Sequence, residues 1–510
     1  MCQSAGAMDP WTILWTTALL LFLYYYFTGG DNFFDKNGIP YIKPFPFLGN
    51  MAQTIFRQRT MTDTIHRTFK LNENAKYVGF FDFGCPVVMI RDQELAKNIT
   101  VKYFAHFVNH RGFVDPEQEP LFGNNLFTLH DDHWRSIRNL LSPAFTSSKM
   151  KGMFRLMSEC AASYADYFAD ESRDKPLEVD SKDAFTRYTN DIIAICVFGI
   201  KIDSVRNRNN EFYIMGKRAT NFEGLKSLKF FAVRSFPRLA KLLNIKFMSS
   251  DVEIFFKKLV KETIETRDKL GITRPDLIQL MMETRDNKEG PKLTIENMTS
   301  QAFLFFFGGF DTSSTIMCFL VHEVAARPEV QEKLQREIDE VFEEHEGDPP
   351  YEAIMNMVYL EAVVTEALRL HPNAAFVDRV CNKDFELPPA LPGQKPVVLK
   401  PGNTVWIPMY SFQHDPKVYP DPQVFDPERF IKNGKTIANS SNSLTFGQGP
   451  RMCIGNRFAL LEIKVLLVHI LRKCSIRPGK KMILPLRLSK ATVGMAAEGG
   501  FWIEFRQRDI

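Results

Sequence analysis

The chain has 510 residues, and its 64 lysines and arginines nearly balance its 60 aspartates and glutamates, which leaves a formal net charge of +4. That balance argues against a dedicated nucleic-acid-binding protein, which carries a strong basic excess. Hydrophobic residues make up 45% of the chain and include 45 phenylalanines, which indicates a large apolar interior or pocket. No linker rich in serine and glycine divides the chain, so we predict one large folded body, although the length alone would allow roughly three domains.

The eight cysteines are scattered along the chain, with no C-x-x-C pair and none of the spacings typical of a zinc site. Most of them are predicted to be isolated thiols of the core. This usage fits a reducing compartment that faces the cytosol better than a secreted domain built on disulfide bonds.

A run without charged residues lies near the start of the chain, from Trp11 to Phe27. As a helix it would be about 26 Å long, at the short end of what crosses a bilayer. A cleaved signal peptide is the competing interpretation, but the first ten residues contain no lysine or arginine. We therefore predict an uncleaved membrane anchor at residues 1–30. Lys36 and Lys43 follow it, so the positive-inside rule predicts that the rest of the chain is cytosolic.

A proline-rich connector occupies residues 31–50, where Pro40, Pro44 and Pro46 prevent a regular helix. We predict that this connector is a stiff hinge. The remaining residues, 51–510, are predicted to form the single folded domain.

Most of this domain is predicted to be helical, apart from a β-hairpin over residues 77–90. Trp134 and Arg138 are one helical turn apart and would share a helix face, a spacing that is also common on solvated helices. Residues 224–250 carry six basic and no acidic residues, interleaved with phenylalanine and leucine. This pattern predicts contact with a membrane surface, and a solvated loop with internal packing remains the alternative.

The pattern from Thr294 to Ala326 predicts one long helix that ends before Pro328. Its centre is apolar nearly all round, and charged residues further along favour a helix through the core over a second membrane span. Gly308 and Gly309 each cost about 1 kcal/mol in a helix relative to alanine. We therefore expect either the close approach of something large and flat or a local distortion of the helix there.

Asp311 and Thr312 follow these glycines directly. Taken alone, they predict a buried acid with a hydroxyl partner nearby. Further on, Glu366 and Arg369 can pair on one face of a helix, as many surface residues three apart do. At the end of the chain, residues 491–505 alternate apolar and polar positions after a glycine turn, which predicts a terminal hairpin.

One ten-residue segment stands out near the end of the chain. It runs Phe446-Gly447-Gln448-Gly449-Pro450-Arg451-Met452-Cys453-Ile454-Gly455. Its glycines and proline predict a tight loop, and a strongly helical pattern follows it. Cys453 is thus expected at the mouth of a helix, where the positive dipole end favours a thiolate. An ordinary buried cysteine is the plainer alternative.

The segment has the pattern F-x-x-G-x-R-x-C-x-G, which resembles the haem-binding loop of the cytochrome P450 family, with every fixed position filled. The other motifs occur in the family's order, so the resemblance covers essentially the whole chain. It is similar to the animal microsomal type, and most of all to insect members that metabolise xenobiotics. The resemblance implies a mainly α-helical fold with a small β lobe that buries one haem b.

The resemblance also assigns roles to individual residues. It makes Cys453 the thiolate ligand of the haem iron, with Phe446 packed beneath the ring and Gly455 leaving room for the porphyrin. The side chains that it assigns to the haem propionates are Arg451, Trp134, Arg138 and Arg379. His110 stands where relatives often have another arginine.

On the oxygen side, the resemblance makes Thr312 the hydrogen-bonding partner of dioxygen and Asp311 a proton relay. It implies a buried structural triad of Glu366, Arg369 and Arg429, which serves folding and haem retention. The candidates that it suggests for the substrate pocket are Phe305, Phe307, Phe310, Ala375, Phe376 and Met495.

The activity that the resemblance implies is monooxygenation of lipophilic small molecules, xenobiotics such as plant toxins or insecticides, at the endoplasmic reticulum membrane. The chain has no convincing G-x-G-x-x-G unit for a flavin or nicotinamide. Electrons would therefore come from an NADPH-dependent flavoprotein reductase, with cytochrome b5 as a further candidate partner. The basic residues that could meet the reductase are Lys432, Lys435, Lys464, Arg472 and Lys473, with ordinary solvated side chains as the alternative.

Other functions remain open at this point. The same fold could serve an endogenous lipid, steroid or hormone hydroxylase. A same-fold isomerase or peroxide-using enzyme would keep Cys453 without external electrons, and a haem carrier or gas sensor would not need catalysis at all. The intact Asp311-Thr312 pair argues against these last two classes, because neither needs an oxygen-activating groove.

Overall fold

The described part of the molecule covers nearly the whole predicted domain. The computed structural model describes residues 9, 11–12, 14–19, 32–112, 114–221, 225–285, 293–437, 444–492 and 494–509. The predicted anchor at residues 1–30 lies mostly outside these residues and stays a prediction.

Helices make up most of the domain. Those of the first half are α1 (Phe33–Lys36), α2 (Ala52–Ile55), α3 (Met61–Phe69), α4 (Gln93–Lys97), α5 (Pro120–Gly123), α6 (Asp131–Leu141), α7 (Ser147–Glu171), α8 (Ser181–Ile193), α9 (Glu211–Thr220), α10 (Leu225–Ser235) and α11 (Pro237–Leu242). Those of the second half are α12 (Ser250–Leu270), α13 (Leu277–Arg285), α14 (Ile295–Ala325), α15 (Pro328–Glu344), α16 (Tyr351–Asn356), α17 (Val358–Leu370), α18 (Met409–Gln413) and α19 (Asn456–Lys473).

The strands are short and form small sheets. They are β1 (Tyr77–Asp82), β2 (Cys85–Ile90), β3 (Leu177–Asp180), β4 (Val377–Val380), β5 (Phe385–Leu387), β6 (Val397–Leu399), β7 (Thr404–Ile407), β8 (Ile431–Lys432), β9 (Lys435–Thr436), β10 (Cys474–Pro478) and β11 (Trp502–Gln507). The largest sheet has the order β1-β2-β7-β4. The prediction of a mainly α-helical fold with a small β lobe is therefore confirmed.

The predicted hairpin over residues 77–90 is confirmed as β1 and β2, which pair antiparallel from Tyr77 opposite Ile90 to Asp82 opposite Cys85. β7 then joins β2 in parallel, and β4 pairs with β7. This sheet has its own apolar core, in which Trp406 of β7 packs against Phe80 of β1 with ring centroids 4.9 Å apart.

The terminal hairpin predicted over residues 491–505 is present but lies earlier in the chain than predicted, since residues 487–489 pair with residues 496–498. β11 lies between β10 and β3 in a three-stranded antiparallel sheet, so its partners come from elsewhere in the chain. Before β11, the Ser489 amide donates to the Ala496 carbonyl and the Glu498 amide donates to the Arg487 carbonyl, each over 2.8 Å, on either side of the isolated bridge between Leu488 and Ala497. The alternation around Ile503 and Phe505 marked a buried strand correctly, but a period of two does not identify which strand pairs with it.

The long helix predicted from Thr294 is confirmed as α14. The Thr294 side chain caps it by accepting a hydrogen bond from the Asn297 amide over 3.2 Å, and the helix ends shortly before Pro328. Within the described residues, α14 is also the one helix long and apolar enough to cross a membrane. Most of it is buried, however, and it packs against α8, α12 and α17. α14 is therefore a helix of the core, as the charged residues in its sequence predicted.

The two glycines of α14 have different neighbours. A Cβ on Gly309 would collide with the Ile193 side chain of α8, so glycine is needed there for close helix packing. A Cβ on Gly308 would meet no atom within 4 Å, so this glycine borders open space. The expected close approach is therefore made at Gly309 by a neighbouring helix.

A buried charge cluster ties α17 to the segment that precedes β8. Glu366 and Arg369 of α17 are almost completely buried, and their ion pair spans 2.6 Å. Arg429 donates to the other Glu366 oxygen over 3.1 Å, and the Asp426 amide donates to the same oxygen over 2.8 Å. The predicted triad is thus assembled, while its role in haem retention remains a prediction.

We expect Glu366→Gln to lower the thermal unfolding midpoint strongly, because it leaves two guanidinium groups without their buried counter-charge. Losing one partner of a buried ion pair costs about 3–5 kcal/mol. The matched control is Glu159→Gln, since Glu159 pairs with Arg155 at 3.3 Å on the exposed surface of α7. That change should cost only about 0–1 kcal/mol. Equal midpoints for the two variants would contradict a stabilising triad.

Candidate functional site

The loop before α19 is closed by its own backbone. The Cys453 amide donates to the Phe446 carbonyl over 2.9 Å, and the Met452 amide donates to the Gly449 carbonyl over 2.9 Å. Gly449 has a φ of +75°, and a Cβ there would collide with the Thr100 carbonyl. Only glycine can take this position, so the predicted tight loop holds the Cys453 backbone in one place.

The Cys453 thiol lies deep in the protein but is still accessible. It is the only exposed side chain among the seven cysteines that the structure describes. Burial raises the pKa of this thiol above its ordinary value, although the Gly455 amide and the Arg138 charge oppose that shift. The side chain therefore faces an internal cleft instead of the outer surface.

The helix end alone does not favour the thiolate of Cys453, because burial raises the pKa of its thiol. α19 begins at Asn456, so the cysteine lies three residues before the first helical turn, where the dipole is already weak. Desolvation outweighs the helix end, and the thiol form is favoured. A metal cation bound at the sulfur would favour the thiolate instead of the thiol, because a thiol that coordinates a metal loses its proton.

Three arginines surround the loop. Arg138 lies one turn after Trp134 on α6, and its side chain has no hydrogen bond or ion pair to any described residue. The Arg451 guanidinium lies 4.2 Å from the centre of the Trp134 ring. Burial and the nearby Arg379 lower the pKa of Arg451 to about 9. The motif residues predicted at the propionates are therefore neighbours in space.

Arg451 is already well supplied with acceptors. Its Nε donates to the Val108 carbonyl over 2.9 Å, and a terminal nitrogen donates to the Leu129 carbonyl over 2.6 Å. These bonds fix the backbone at Val108 and at Leu129 against the cysteine loop. Its predicted contact with a propionate remains a prediction.

Arg379 lies on β4 and is almost fully buried. One of its terminal nitrogens donates to the Asp378 carbonyl over 2.6 Å, but its Nε has no partner among the described residues. Burial lowers the pKa of Arg379 to about 10. His110 Nδ1 lies 2.8 Å from Asp378 Oδ1. Burial would raise the pKa of Asp378, but His110, the Arg111 amide and Arg379 outweigh it and hold that pKa at about 2.

These residues fit the haem that the sequence pattern predicts. The buried Nε of Arg379 has no acceptor among the described residues, and such donors suit carboxylates such as the propionates. A Cβ on Gly455 would meet no atom within 4 Å, so a flat group could approach the loop there. Phe446 is partly buried against the core around α7 and α19, next to the loop that it closes.

The oxygen-side residues lie at the middle of α14. Thr312 donates its hydroxyl hydrogen bond to the Gly308 carbonyl, and the Asn373 side chain donates to the Thr312 carbonyl over 2.9 Å. Phe305 shares this face of the helix, because residues 305, 308 and 312 follow an i, i+3, i+7 spacing.

Asp311 is not the buried acid that the sequence predicted. Its side chain is 47% exposed and forms an ion pair of 2.8 Å with Lys182 of α8. The same ammonium donates to Ser314 Oγ over 2.9 Å and to Thr315 Oγ1 over 2.7 Å. Sequence reasoning missed Lys182, and no local signal could have found it, because it is 129 residues away from Asp311.

A second residue that sequence reasoning missed is Glu462 of α19. Its side chain is fully buried, and neither carboxylate oxygen has a hydrogen bond of normal geometry within the described residues. Burial raises the pKa of Glu462 to about 8, with Ser313 of α14 partly opposing the shift. Burial therefore favours the protonated form of Glu462. The available signal was an acid that follows the apolar run Phe458-Ala459-Leu460-Leu461 in this helix.

The six candidate pocket residues do not all converge. Phe305 packs against Phe145 with centroids 5.4 Å apart, and Phe307 packs against Phe122 at 5.0 Å. Phe310, two residues after Gly308, points about 160° away from it on the helix. Phe310 is instead buried against other aromatic rings. The structure thus does not bring Phe310 to the face that carries Thr312.

The remaining pocket candidates lie on other elements. Phe376 stacks on Trp406 of the β lobe with centroids 3.7 Å apart, and Ala375 packs against the same core. Met495 packs against the core around α7, α14 and α19. Their contact with a substrate stays a prediction.

The predicted reductase surface needs one correction. Lys464 is fully buried and pairs with Glu361, so it cannot meet another protein. Arg472 pairs with Asp339 at 2.6 Å, and Lys473 pairs with Asp166. The exposed members are Lys432 and Lys435, on the hairpin formed by β8 and β9. α19 packs on several helices, so a lysine on its inward face had to be buried and paired.

The site can now be compared with known proteins. The family model "Cytochrome P450" matches residues 39–502 of the chain. Cytochrome P450 9e2 of Blattella germanica is 43% identical over 526 residues, which cover 97% of this chain and 98% of the relative. Cytochrome P450 9b2 of Drosophila melanogaster is 35% identical, over 95% of this chain and 97% of the relative. Cytochrome P450 6j1 of Blattella germanica is 33% identical, over 94% of each.

These matches confirm the resemblance that the motifs suggested, including its likeness to insect proteins. Proteins of this family use haem with a cysteine thiolate as axial ligand. The matched region includes the cysteine loop, the arginines around it and the whole of α14. The chain belongs to the cytochrome P450 family and is a haem-thiolate monooxygenase.

Proposed function

We propose that this monooxygenase oxidises lipophilic xenobiotics, such as plant toxins or insecticides, with electrons from an NADPH-dependent flavoprotein reductase. The observation that carries the proposal is the accessible Cys453 thiol, held on a closed loop and surrounded by Arg138, Arg379 and Arg451. Haem bound at this thiol would supply the activation of dioxygen, and thiolate donation favours cleavage of the O–O bond.

The chain's own side chains would hold the haem in place. Cys453 would hold the iron, with the Gly455 amide and the Arg138 charge favouring the anionic form of its sulfur. Arg138 and the free Nε of Arg379 supply donors for the propionates. Arg451 keeps Val108 and Leu129 against the loop by donating to their carbonyls, and its guanidinium lies against the Trp134 ring.

Proton delivery is assigned to the middle of α14. The Thr312 hydroxyl now donates to Gly308, and rotation about one bond would turn it toward the open space that Gly308 borders. Asp311 is half exposed, so it can exchange protons with solvent while Lys182 holds its carboxylate in place. Solvent, Asp311 and Thr312 thus form a short route for protons.

The lipophilic substrate class is supported by the lining of this space. Phe305 presents an aromatic ring on the face that carries Thr312, and this ring is only partly buried. Rings of this kind bind apolar molecules without fixing one chemical identity.

Membrane attachment is supported by the segment α10–α11. Phe236 is 48% exposed, Leu239 50%, Leu242 80% and Leu243 60%. Exposed apolar side chains next to six basic residues favour contact with a bilayer. We therefore propose that the chain lies at the endoplasmic reticulum membrane, with residues 1–30 as its anchor and the domain on the cytosolic side. Lys432 and Lys435 are the candidates for contact with the reductase, and cytochrome b5 is a further candidate partner.

The test is turnover by the full-length protein reconstituted with reductase and NADPH, followed by mass analysis of a panel of lipophilic probes. We expect products that have gained one oxygen atom, and none when reductase or NADPH is left out. Equal product formation with peroxide alone would indicate a peroxide-using enzyme. No product from any probe would favour a haem carrier or sensor.

We expect Thr312→Ala to uncouple electron use from product formation, because it removes the hydroxyl at the end of the proton route. NADPH consumption should continue while the product formed per NADPH falls by about tenfold or more, in line with the loss of a positioned proton donor. The matched control is Thr299→Ala, on the same helix about 20 Å away, where the hydroxyl donates to the Ile295 carbonyl over 2.7 Å. Unchanged coupling in Thr312→Ala, or equal uncoupling in both variants, would contradict the assignment.

A further inference from the structure

A cleft of about 250 Å³ lies between the proline-rich hinge and α3. Its lining includes Lys43, Pro44, Phe45, Asn50, Thr64 and Arg67. None of these residues belongs to the haem site described above. The cleft therefore needs a separate account.

The cleft is positively charged, and its two cations have no partner among the described residues. Lys43 and Arg67 both line it, and neither forms an ion pair or hydrogen bond through its side chain with a described residue. Four cations and one acid occur between residues 43 and 67. The acid, Asp63, lies one turn before Arg67 on α3 but has no ion pair within 4 Å in the described residues. A cleft with two free cations favours an anionic ligand.

Apolar side chains flank the same cleft. Phe45 lines it and is 55% exposed, and its ring packs edge to face with Phe56, which is also 55% exposed. Phe47 follows with 38% of its surface exposed. Large aromatic side chains that remain in water next to free cations are typical of surfaces that meet lipid.

The cleft lies on the same side of the domain as the amphipathic segment α10–α11. The Asn50 amide at its edge donates to the Phe81 carbonyl over 2.9 Å, next to the β1–β2 turn. α10 contacts that turn as well, through Phe231 against Phe83 at 5.8 Å between centroids. Cleft and segment therefore flank one turn, and a single membrane plane can touch both.

The predicted membrane anchor is close to the cleft along the chain. Lys43 is 16 residues after Phe27, the last residue of the uncharged run, and that length of chain spans at most about 55 Å. An anchored domain therefore keeps the cleft close to lipid headgroups.

We propose that this hinge cleft binds the headgroup of an anionic phospholipid, with Lys43 and Arg67 as ligands of its phosphate and the acyl chains beside Phe45 and Phe56. The proposal rests on the membrane attachment proposed above. It adds the class of lipid and the residues that recognise it.

The experiment titrates the full-length, haem-loaded protein with soluble short-chain phosphatidylserine, short-chain phosphatidylcholine or inorganic phosphate, and follows binding by calorimetry. We expect saturable binding of phosphatidylserine about tenfold tighter than that of phosphatidylcholine. The double variant Lys43→Gln/Arg67→Gln should weaken phosphatidylserine binding about 30-fold, as expected for two lost cations at an anionic headgroup. Inorganic phosphate should show no saturable binding, because it lacks the acyl chains.

The matched control is Lys70→Gln/Lys76→Gln, which removes the same charge from exposed positions outside the cleft lining. It should leave phosphatidylserine binding within about twofold, and raising the salt concentration should weaken binding to the wild type. Equal binding of the two lipids, equal losses in both double variants, or phosphate bound as tightly as phosphatidylserine would each overturn the proposal.

The outcome can be separated from that of the haem assignment. The same preparation is reduced under carbon monoxide, and its Soret band reports the thiolate-bound haem without any lipid. A normal band with no lipid preference would overturn the headgroup site alone. A lipid preference without that band would leave the headgroup site intact and contradict the haem assignment.

Discussion

The site depends on one constraint, which is that a sulfur atom must be held as an anion inside the protein. Burial alone works against this, since it raises the pKa of the Cys453 thiol. The protein supplies partial compensation through the Gly455 amide and the Arg138 charge, and iron bound at the sulfur would supply the rest. The closed loop serves the same end, because the glycines and the Cys453–Phe446 hydrogen bond stop the sulfur from moving.

The helix α14 connects this site to the core of the domain. One of its faces buries Phe306 and Phe310 among other aromatic rings, and the opposite face carries Gly308 and Thr312. Gly309 lets α8 come close, and α8 carries the lysine that holds Asp311. Core packing and site geometry are therefore set by the same helix, and a change in how α8 packs would move both. Much of the phenylalanine content serves this core and not a ligand pocket.

Features with a local signal could be predicted from the sequence. The β1–β2 hairpin, α14 with its Thr294 cap and the tight cysteine loop all depend on residues close together in the chain. Features that depend on contacts between distant parts of the chain could not be predicted from the sequence. The partners of β11, the pairing of Asp311 with a lysine of α8 and the burial of Lys464 each depend on elements far away in sequence. The orientation of Phe310 had a local signal that conflicted with the family resemblance. The helical period places Phe310 opposite Gly308, whereas the resemblance assigned it to the substrate pocket.

The most direct test of the account is the absorption spectrum of the reduced protein under carbon monoxide, in the wild type and in two cysteine variants. Thiolate-bound haem gives a red-shifted Soret band, so the wild type and Cys85→Ser should show it and Cys453→Ser should not. Cys85 is a suitable control, since it is partly exposed at the β1–β2 turn and lies on no element of the haem site. A wild type without the band, or a band that survives in Cys453→Ser, would contradict the assignment of Cys453 as the iron ligand.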